Sequence, residues 1–586
     1  MKPVNQKRLR RRYLSLGFLV YALIVLFFAH WGKYLTMYPS SPLLIIKAVQ
    51  DMLDHPFQIH PLNWPMIGNG IFLGALAPIM MDVKFTMGRD LRPRVEYGSA
   101  KWNDDLNGFV KKNADMPRIG IGSPNMILSQ DLTVSMDTRK TERNNNICVF
   151  GGSGTMKSRG IILPNIGQAN CSYVITDPSG ELYAKTADFL RNQGYDVKAL
   201  NLVNMAKSGH YNPFAYIRDE QGVLSLINAL MANTTPTGKN SNDPFWDRAE
   251  TALMQACCYY LIAADLEAHT HEASLSGVMQ LLRLGAKQHD KNQTELDFLF
   301  SELAKVSPNH VAVASYDIYK QAPDKTASTI VICAQSRLAA FNLGVIQELT
   351  NTDDMQLGDI GDHKTALFCI TPTIDRTFNF LVGLMYTQLF ETLYYHAENE
   401  CEENRLPIHV RFLLDEFANI GKIPDFDQKL STMRKYEISC TIILQAISQL
   451  KTMYRDEWET IISNCDTTVY LGDNDKSTNQ YISEALGKET IQVRNSSRSY
   501  GRQGSSSQSL NKSGRDLLSP DELKKMNNRD CIVMIRGYDP FFTKKFILEH
   551  HPAFGGPQGL QKWKMDISNA LWKWRQAHTK GGEKHD

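Results

Sequence analysis

The sequence predicts an α/β protein built on a parallel sheet, interrupted by a long helical insertion and preceded by two membrane spans. Three observations lead there. From Asn146 onward, short apolar runs alternate with helical stretches, the pattern of a parallel sheet covered on both faces. Between residues 216 and 338 the apolar positions instead recur at helical spacing, which predicts an all-α insertion. Ahead of both stand two apolar runs, residues 13–31 and 64–81, each close to the ~20 residues that cross a bilayer as a helix.

The spans are justified first. Lys2, Lys7, Arg8, Arg10, Arg11 and Arg12 precede the first run, and Lys84, Arg89, Arg92 and Arg94 follow the second. The segment between them, 32–63, carries only Lys33 and Lys47. The positive-inside rule therefore predicts a multi-pass protein of the cell membrane, with the N-terminus and the large C-terminal body in the cytoplasm. No small-residue cleavage site follows the first run, which argues against a signal peptide. Trp31 and Trp64 sit at run ends, where aromatic residues meet the membrane surface.

The bulk composition bounds the rest. A chain of 586 residues, 43% hydrophobic and 22% charged, holds more than one domain and excludes general disorder. The net charge of +2 does not exclude nucleic acid, because basic residues can line a channel while the surface stays balanced. The cysteines are scattered with no C-x-x-C spacing, against zinc ribbons and disulfide frameworks. Cys148, Cys333 and Cys369 lie inside apolar runs and read as small buried hydrophobes of a reducing compartment.

Within the body, strands are predicted at 147–150, 173–176 and 196–202, and again at 366–370, 410–414, 440–444 and 468–471. The expected division is 1–84 as membrane anchor, 85–215 as the first part of an α/β domain, 216–338 as the all-α insertion, 339–550 as the second part, and 551–586 as a C-terminal tail. Residues 490–515, rich in Ser, Arg, Gln and Gly, read as a flexible loop. The tail, with Trp563, Trp572 and Trp574 among lysines, reads as amphipathic.

The chemistry concentrates where the first strand ends. Gly151, Gly152, Ser153, Gly154, Thr155, Met156, Lys157 and Ser158 follow that strand and precede a helix. Set against G-x-x-x-x-G-K-[ST], the first glycine, the lysine and the serine fall in place. Loop amides and the helix N-terminus would cradle phosphates. Lys157 is expected to reach the β- and γ-phosphates of ATP, and Ser158 to help hold Mg2+. Met156 stands where the second glycine belongs; either the loop adapts or nucleotide binding is weakened. Further on, Arg411-Phe-Leu-Leu-Asp415-Glu416 is an apolar strand ending in paired carboxylates. In that position Asp415 would hold Mg2+ through water, and Glu416 would polarise the attacking water as general base.

These stretches, with Tyr97-Gly-Ser-Ala-Lys-Trp102, Thr176-Asp177-Pro-Ser-Gly-Glu181, Leu413-Leu-Asp-Glu-Phe-Ala-Asn419, Leu444-Gln-Ala-Ile-Ser-Gln-Leu450 and Arg515-Asp-Leu-Leu-Ser-Pro-Asp-Glu522, resemble the TraG/TraD-type coupling proteins of type IV secretion and conjugation, closest to the two-span Gram-positive form. The resemblance covers nearly the whole chain. It implies a RecA-like P-loop NTPase domain with an inserted all-α domain, ATP and Mg2+ as ligands, and a homohexamer at the membrane. It also implies single-stranded DNA, a relaxase and the secretion-channel proteins as partners. Gln445 matches the family's γ-phosphate-sensing glutamine, and Arg434 a candidate arginine finger reaching a neighbouring subunit's ATP. The expected function is a membrane-anchored ATPase that drives relaxase-bound DNA into the channel. The alternatives are a non-hydrolysing substrate-docking receptor and a septal-type double-stranded DNA translocase. The absence of a recognisable winged-helix module at the C-terminus weighs against the latter.

Overall fold

The computed structural model describes residues 6–37, 43–56, 64–87, 96–235, 244–268, 273–290, 293–498 and 506–555. The chain divides into two compact units, residues 1–99 with 490–514, and residues 100–489 with 515–586. The tail tryptophans Trp563, Trp572 and Trp574 lie outside the described residues.

The first unit contains the helices Gln6–Met37, Leu44–Asp54, Trp64–Gly74 and Leu76–Met87. Two stretches, Tyr13–Trp31 and Trp64–Lys84, are long and apolar enough to cross a membrane, with mean hydropathy 2.1 and 1.5. The second extends three residues beyond the 64–81 expected from the sequence. It breaks at Ala75, because Pro78 has no N–H to offer the carbonyl one turn back. Small residues let the helices approach closely. A Cβ on Gly17 would lie 2.7 Å from the Pro78 Cα, and one on Gly70 2.7 Å from the Phe28 Cβ. In a bilayer, where lipid tails give apolar side chains no incentive to associate, such close packing would supply the attraction.

The second unit is built on a sheet. After a small antiparallel pair, β1 (Asn125–Ile127) and β2 (Thr133–Ser135), come β3 (Ile147–Phe150), β4 (Ser172–Pro178), β5 (Asp196–Asn201), β6 (Thr365–Thr371), β7 (Val410–Leu414), β8 (Ile438–Leu444) and β9 (Thr467–Tyr470). In sequence, the pair β10 (Lys488–Arg498) and β11 (Ser506–Asp516), which lies almost wholly in the first unit's segment 490–514, precedes the second unit's β12 (Asp530–Ile535) and β13 (Phe541–Lys544). The nine-stranded sheet has the order β13-β12-β9-β3-β8-β7-β4-β6-β5. From β9 to β5 every pairing is parallel, while β12 and β13 add an antiparallel edge. Strands β3, β6, β7 and β8 are buried along their whole length. That explains their near-continuous apolar sequence, since helices cover both faces.

Between β5 and β6 the described chain is helical, with Glu220–Thr234, Pro244–Ala268, Leu275–Leu284, Glu295–Val306, Val311–Lys320, Asp324–Arg337 and Gly344–Asn351. Leu253, Leu282, Phe300 and Phe341 are buried among them. The guanidinium of Arg337 bonds both Glu250 oxygens, at 2.7 and 3.0 Å. Pairing of this kind keeps a buried carboxylate compensated.

Two expectations are corrected. The stretch 490–515 is not a loop throughout. Strands β10 and β11 occupy most of it, because Ile491 and Val493 alternate with polar residues in a strand period that the Ser-rich composition obscures. Cys333 is exposed rather than buried. Its apolar run wraps around the helix Asp324–Arg337, so Ile332, 63% exposed, and Cys333 face outward while Ile330 and Val331 face the core.

Candidate active site

The sheet places three carboxyl ends side by side. Strands β3, β8 and β7 are neighbours in parallel register, with Phe150 beside Leu444 and Leu414 beside Ile442. The residues that follow them, Gly151 onward, Gln445, and Asp415 with Glu416, therefore emerge at one edge. Open parallel sheets bind ligands at this edge.

The loop from Gly151 to Ser158 is anchored by two backbone bonds, Gly151 N–H to the Leu444 carbonyl (3.1 Å) and Gly152 N–H to the Gly472 carbonyl (3.0 Å). A Cβ on Gly151 would meet the Thr155 Oγ1 at 2.5 Å, so glycine is required there. Gly154 has φ +76°, which glycine adopts freely. Met156 has φ +68°. The loop thus keeps the left-handed turn of a second glycine and imposes it on a side chain, at a cost of roughly 1–2 kcal/mol. Among the described residues the amides of Ser153, Gly154 and Met156 donate to no acceptor. The helix that follows opens with a π turn, Ser158–Ile162, a departure that recurs at functional sites.

The Lys157 ammonium donates to the carbonyls of Gly151 (2.8 Å) and Gly152 (2.9 Å). Burial lowers its pKa, against the pull of Asp415, Glu416 and Asp473. Ser158 Oγ donates to Asp415 Oδ2 at 2.6 Å. Asp415 is buried, and its Oδ1 has no hydrogen-bond partner. Burial is the main reason that its pKa rises to about 6; the Ser158 bond opposes this, and the neighbouring Glu416 charge adds to it. A hydroxyl and a buried carboxylate with one orphaned oxygen form a donor set suited to a hard divalent cation.

Glu416 sits at φ +51°, a turn that swings its side chain out of the strand direction. Its Oε1 accepts from Gln445 Nε2 (3.1 Å) and its Oε2 from Asn419 Nδ2 (2.7 Å). Asn419 is fixed in turn, its carbonyl accepting from Asn379 Nδ2 at 2.6 Å. A carboxylate held on both oxygens keeps one orientation, as a group acting on a water must.

Of the residues singled out from the sequence, the loop, Asp415, Glu416 and Gln445 converge. Arg434 does not. It is exposed, its guanidinium donates to the Thr138 carbonyl at 2.7 Å, and it precedes β8, at the opposite edge of the sheet. Asp177 forms a turn: its oxygens accept from the amides of Leu182 and Tyr183, at 3.0 and 2.7 Å. Two residues were missed. Asn419 lies in the quoted stretch, but its contact with Glu416 has no sequence signature. Asp473 follows β9 at the same edge, with Oδ2 unpartnered and Oδ1 3.2 Å from where a Gly152 Cβ would stand. The strand pattern alone, read to its carboxyl end, points to it.

A parallel sheet with a phosphate loop after β3 and a carboxylate pair after β7 defines the RecA-like P-loop NTPase fold. The chain belongs to the family of type IV secretory system conjugative DNA transfer proteins, whose family model matches residues 110–558. It is 25% identical over 473 residues to the conjugal transfer protein TraG of Escherichia coli, covering 74% of this chain and 72% of that one. It is 24% identical over 397 residues to protein VirD4 of Rhizobium radiobacter, covering 66% of this chain and 55% of that one. Among solved structures, the fold resembles the bacterial conjugative coupling protein TrwBdeltaN70 in its unbound monoclinic form. The TM-score is 0.56 at 15% identity, over 78% of this chain and 94% of that one. A second match is the plasmid coupling protein TrwB in complex with ADP and Mg2+, with TM-score 0.54 at 15% identity, over 78% and 96%.

Proposed function

We propose that the protein is a membrane-anchored ATPase that couples ATP hydrolysis to the passage of single-stranded DNA into a type IV secretion channel. The observation that carries the reading is the pairing of Ser158 with Asp415, directly beside Glu416, which Gln445 holds from the neighbouring strand β8. This is the constellation that phosphoryl transfer to water requires. Family membership supports the DNA substrate, and the two apolar helices support the anchor.

The geometry supports these residue roles. The unengaged loop amides receive the phosphates, and Lys157 exchanges its loop carbonyls for β- and γ-oxygens. Ser158 and Asp415 hold Mg2+, which when bound neutralises charge on the phosphate oxygens. Glu416 accepts a proton from the attacking water, and Gln445 keeps it aimed while reporting on the γ-phosphate. Arg434 serves a neighbouring subunit in a homohexamer, stabilising charge that develops in the transition state. Its place at the opposite sheet edge keeps it from this chain's own loop, so a role at a nucleotide would be in trans. The cytoplasmic body meets a relaxase-bound DNA strand and hands it to the channel proteins. DNA contacts are electrostatic and weaken with salt.

The test is ATP turnover by the full-length protein in detergent or vesicles, with and without single-stranded DNA. DNA-stimulated turnover that Lys157→Ala and Glu416→Gln abolish is the expected result. Nucleotide-free, turnover-free native protein that gains activity in Met156→Gly would favour a docking receptor, the reading that the strained Met156 supports.

A further inference from the structure

Lys545 is a buried cation at the nucleotide loop that no motif marks. It directly follows β13 and is only 4% exposed. Its ammonium donates to two neutral acceptors, the Thr155 carbonyl and Asn528 Oδ1, both at 3.0 Å. Its own amide donates to the Arg529 carbonyl at 2.8 Å, which fixes the root of the side chain on the edge of the sheet. A buried ammonium with no carboxylate bonded to it is costly, and such a residue is kept where its charge or its bond has a task.

The task is visible in the next peptide. Thr155 and Met156 share a trans peptide, so the Thr155 carbonyl and the Met156 N–H point to opposite sides. The carbonyl is drawn toward Lys545. The Met156 N–H therefore faces away from Lys545, and it donates to nothing among the described residues. The same residue carries φ +68°, a conformation that glycine would hold unaided and methionine would not.

We propose that Lys545 is a positioning residue for the phosphate loop: by gripping the Thr155 carbonyl it locks Met156 in the left-handed turn and aims its N–H at the bound phosphates. Lys545 thus stands in for the missing glycine. Neighbouring contacts reinforce the grip. Arg159 pairs with Glu549, and His551 Nε2 lies 3.1 Å from Gln168 Oε1, so the segment after β13 runs along the helix that the loop opens. The nucleotide as ligand rests on the function proposed above; the loop geometry does not.

The experiment is a double-mutant cycle on the full-length protein, Lys545→Met in the native and Met156→Gly backgrounds, with Lys545→Arg as the conservative variant. Two readouts are taken: ADP affinity by calorimetry, and hydrogen exchange of the segment 155–160 without nucleotide. Lys545→Met is expected to weaken ADP about tenfold, the worth of one charge-assisted hydrogen bond, and to speed exchange in the native background. In the Met156→Gly background both effects shrink to less than about twofold, because glycine needs no grip. Lys545→Arg, which keeps the donor, restores most of the loss. Equal losses in both backgrounds would overturn the proposal, since Lys545 would then act by general charge or packing. If the native protein binds no ADP, the ATPase reading fails while the exchange readout still decides for or against the grip.

Discussion

Ser158 Oγ and Asp415 Oδ2, 257 residues apart in sequence, stand 2.6 Å apart in the fold. The bond satisfies one oxygen of a buried carboxylate and leaves the other without a partner. A cation with oxygen ligands is the natural complement of that second oxygen.

The pH behaviour of Asp415 follows. Its folded pKa of about 6 lies above the ordinary 3.8, so the folded state holds its proton more tightly than the unfolded chain. The resulting stability is present below pH 4 and is lost as pH rises from about 4 to 6, by roughly 3 kcal/mol at most. A divalent cation binds the ionised form only. Mg2+ is therefore expected to raise the melting temperature more at pH 7.5 than at pH 5. Asp415→Asn, which cannot ionise, should melt higher at pH 7.5 without Mg2+ and show no Mg2+ effect. Equal Mg2+ shifts at both pH values would contradict the assignment.

Glu416 and its two partners separate orientation from chemistry. Glu416→Gln should lower turnover by about 10²–10⁴-fold with nucleotide affinity kept, as for loss of a general base. Asn419→Ala releases only one carboxylate oxygen, so it is expected to lower kcat about tenfold and leave KM unchanged, within the worth of one such hydrogen bond. Steady-state kinetics decide this, and a rise in KM with kcat intact would reassign Asn419 to binding.

Arg434 can be tested by mixing. If it completes a neighbour's site, Arg434→Ala subunits lack a finger and Lys157→Ala subunits lack a working loop. Each should be inactive alone, and mixed assemblies should recover part of the turnover. Failure of every mixture to exceed its components would leave Arg434 as a residue that only bonds the Thr138 carbonyl.

The two apolar helices of the first unit offer a paired control. Gly70 has the Phe28 Cβ at 2.7 Å from a built Cβ, whereas Gly68 has nothing within 4 Å. Gly70→Leu should destabilise the helix pair, by about 1–3 kcal/mol for overpacking, and Gly68→Leu should not. Thermal unfolding in detergent micelles, followed through Trp31 and Trp64 fluorescence, reads the difference.

Much of this was legible in the sequence, for physical reasons. Strands such as Thr365–Thr371 and Val410–Leu414 are covered on both faces, so they appear as nearly continuous apolar runs, broken in the second by the buried Arg411. The loop and the carboxylate pair are local, because a phosphate cradle needs consecutive amides and a strand end needs consecutive acids. What escaped is long-range or mixed in composition. The grip of Lys545 on Thr155 spans 390 residues, and the bond from Asn379 to the Asn419 carbonyl joins two elements with no shared pattern. The edge strand β13 alternates buried and exposed residues over only four positions, too few to distinguish from a loop.

The contact between Lys545 and the Thr155 carbonyl also sets an order of events during synthesis. Chains emerge from the ribosome N-terminus first, and their early parts begin to fold while later parts are still being made. Lys545 emerges 390 residues after Thr155, behind the two apolar helices and the phosphate loop. The nascent protein can therefore assemble most of its sheet while the loop still lacks its final tether. The loop takes its finished shape only after residue 545 has been made, so a chain terminated before it lacks the residue that braces Met156.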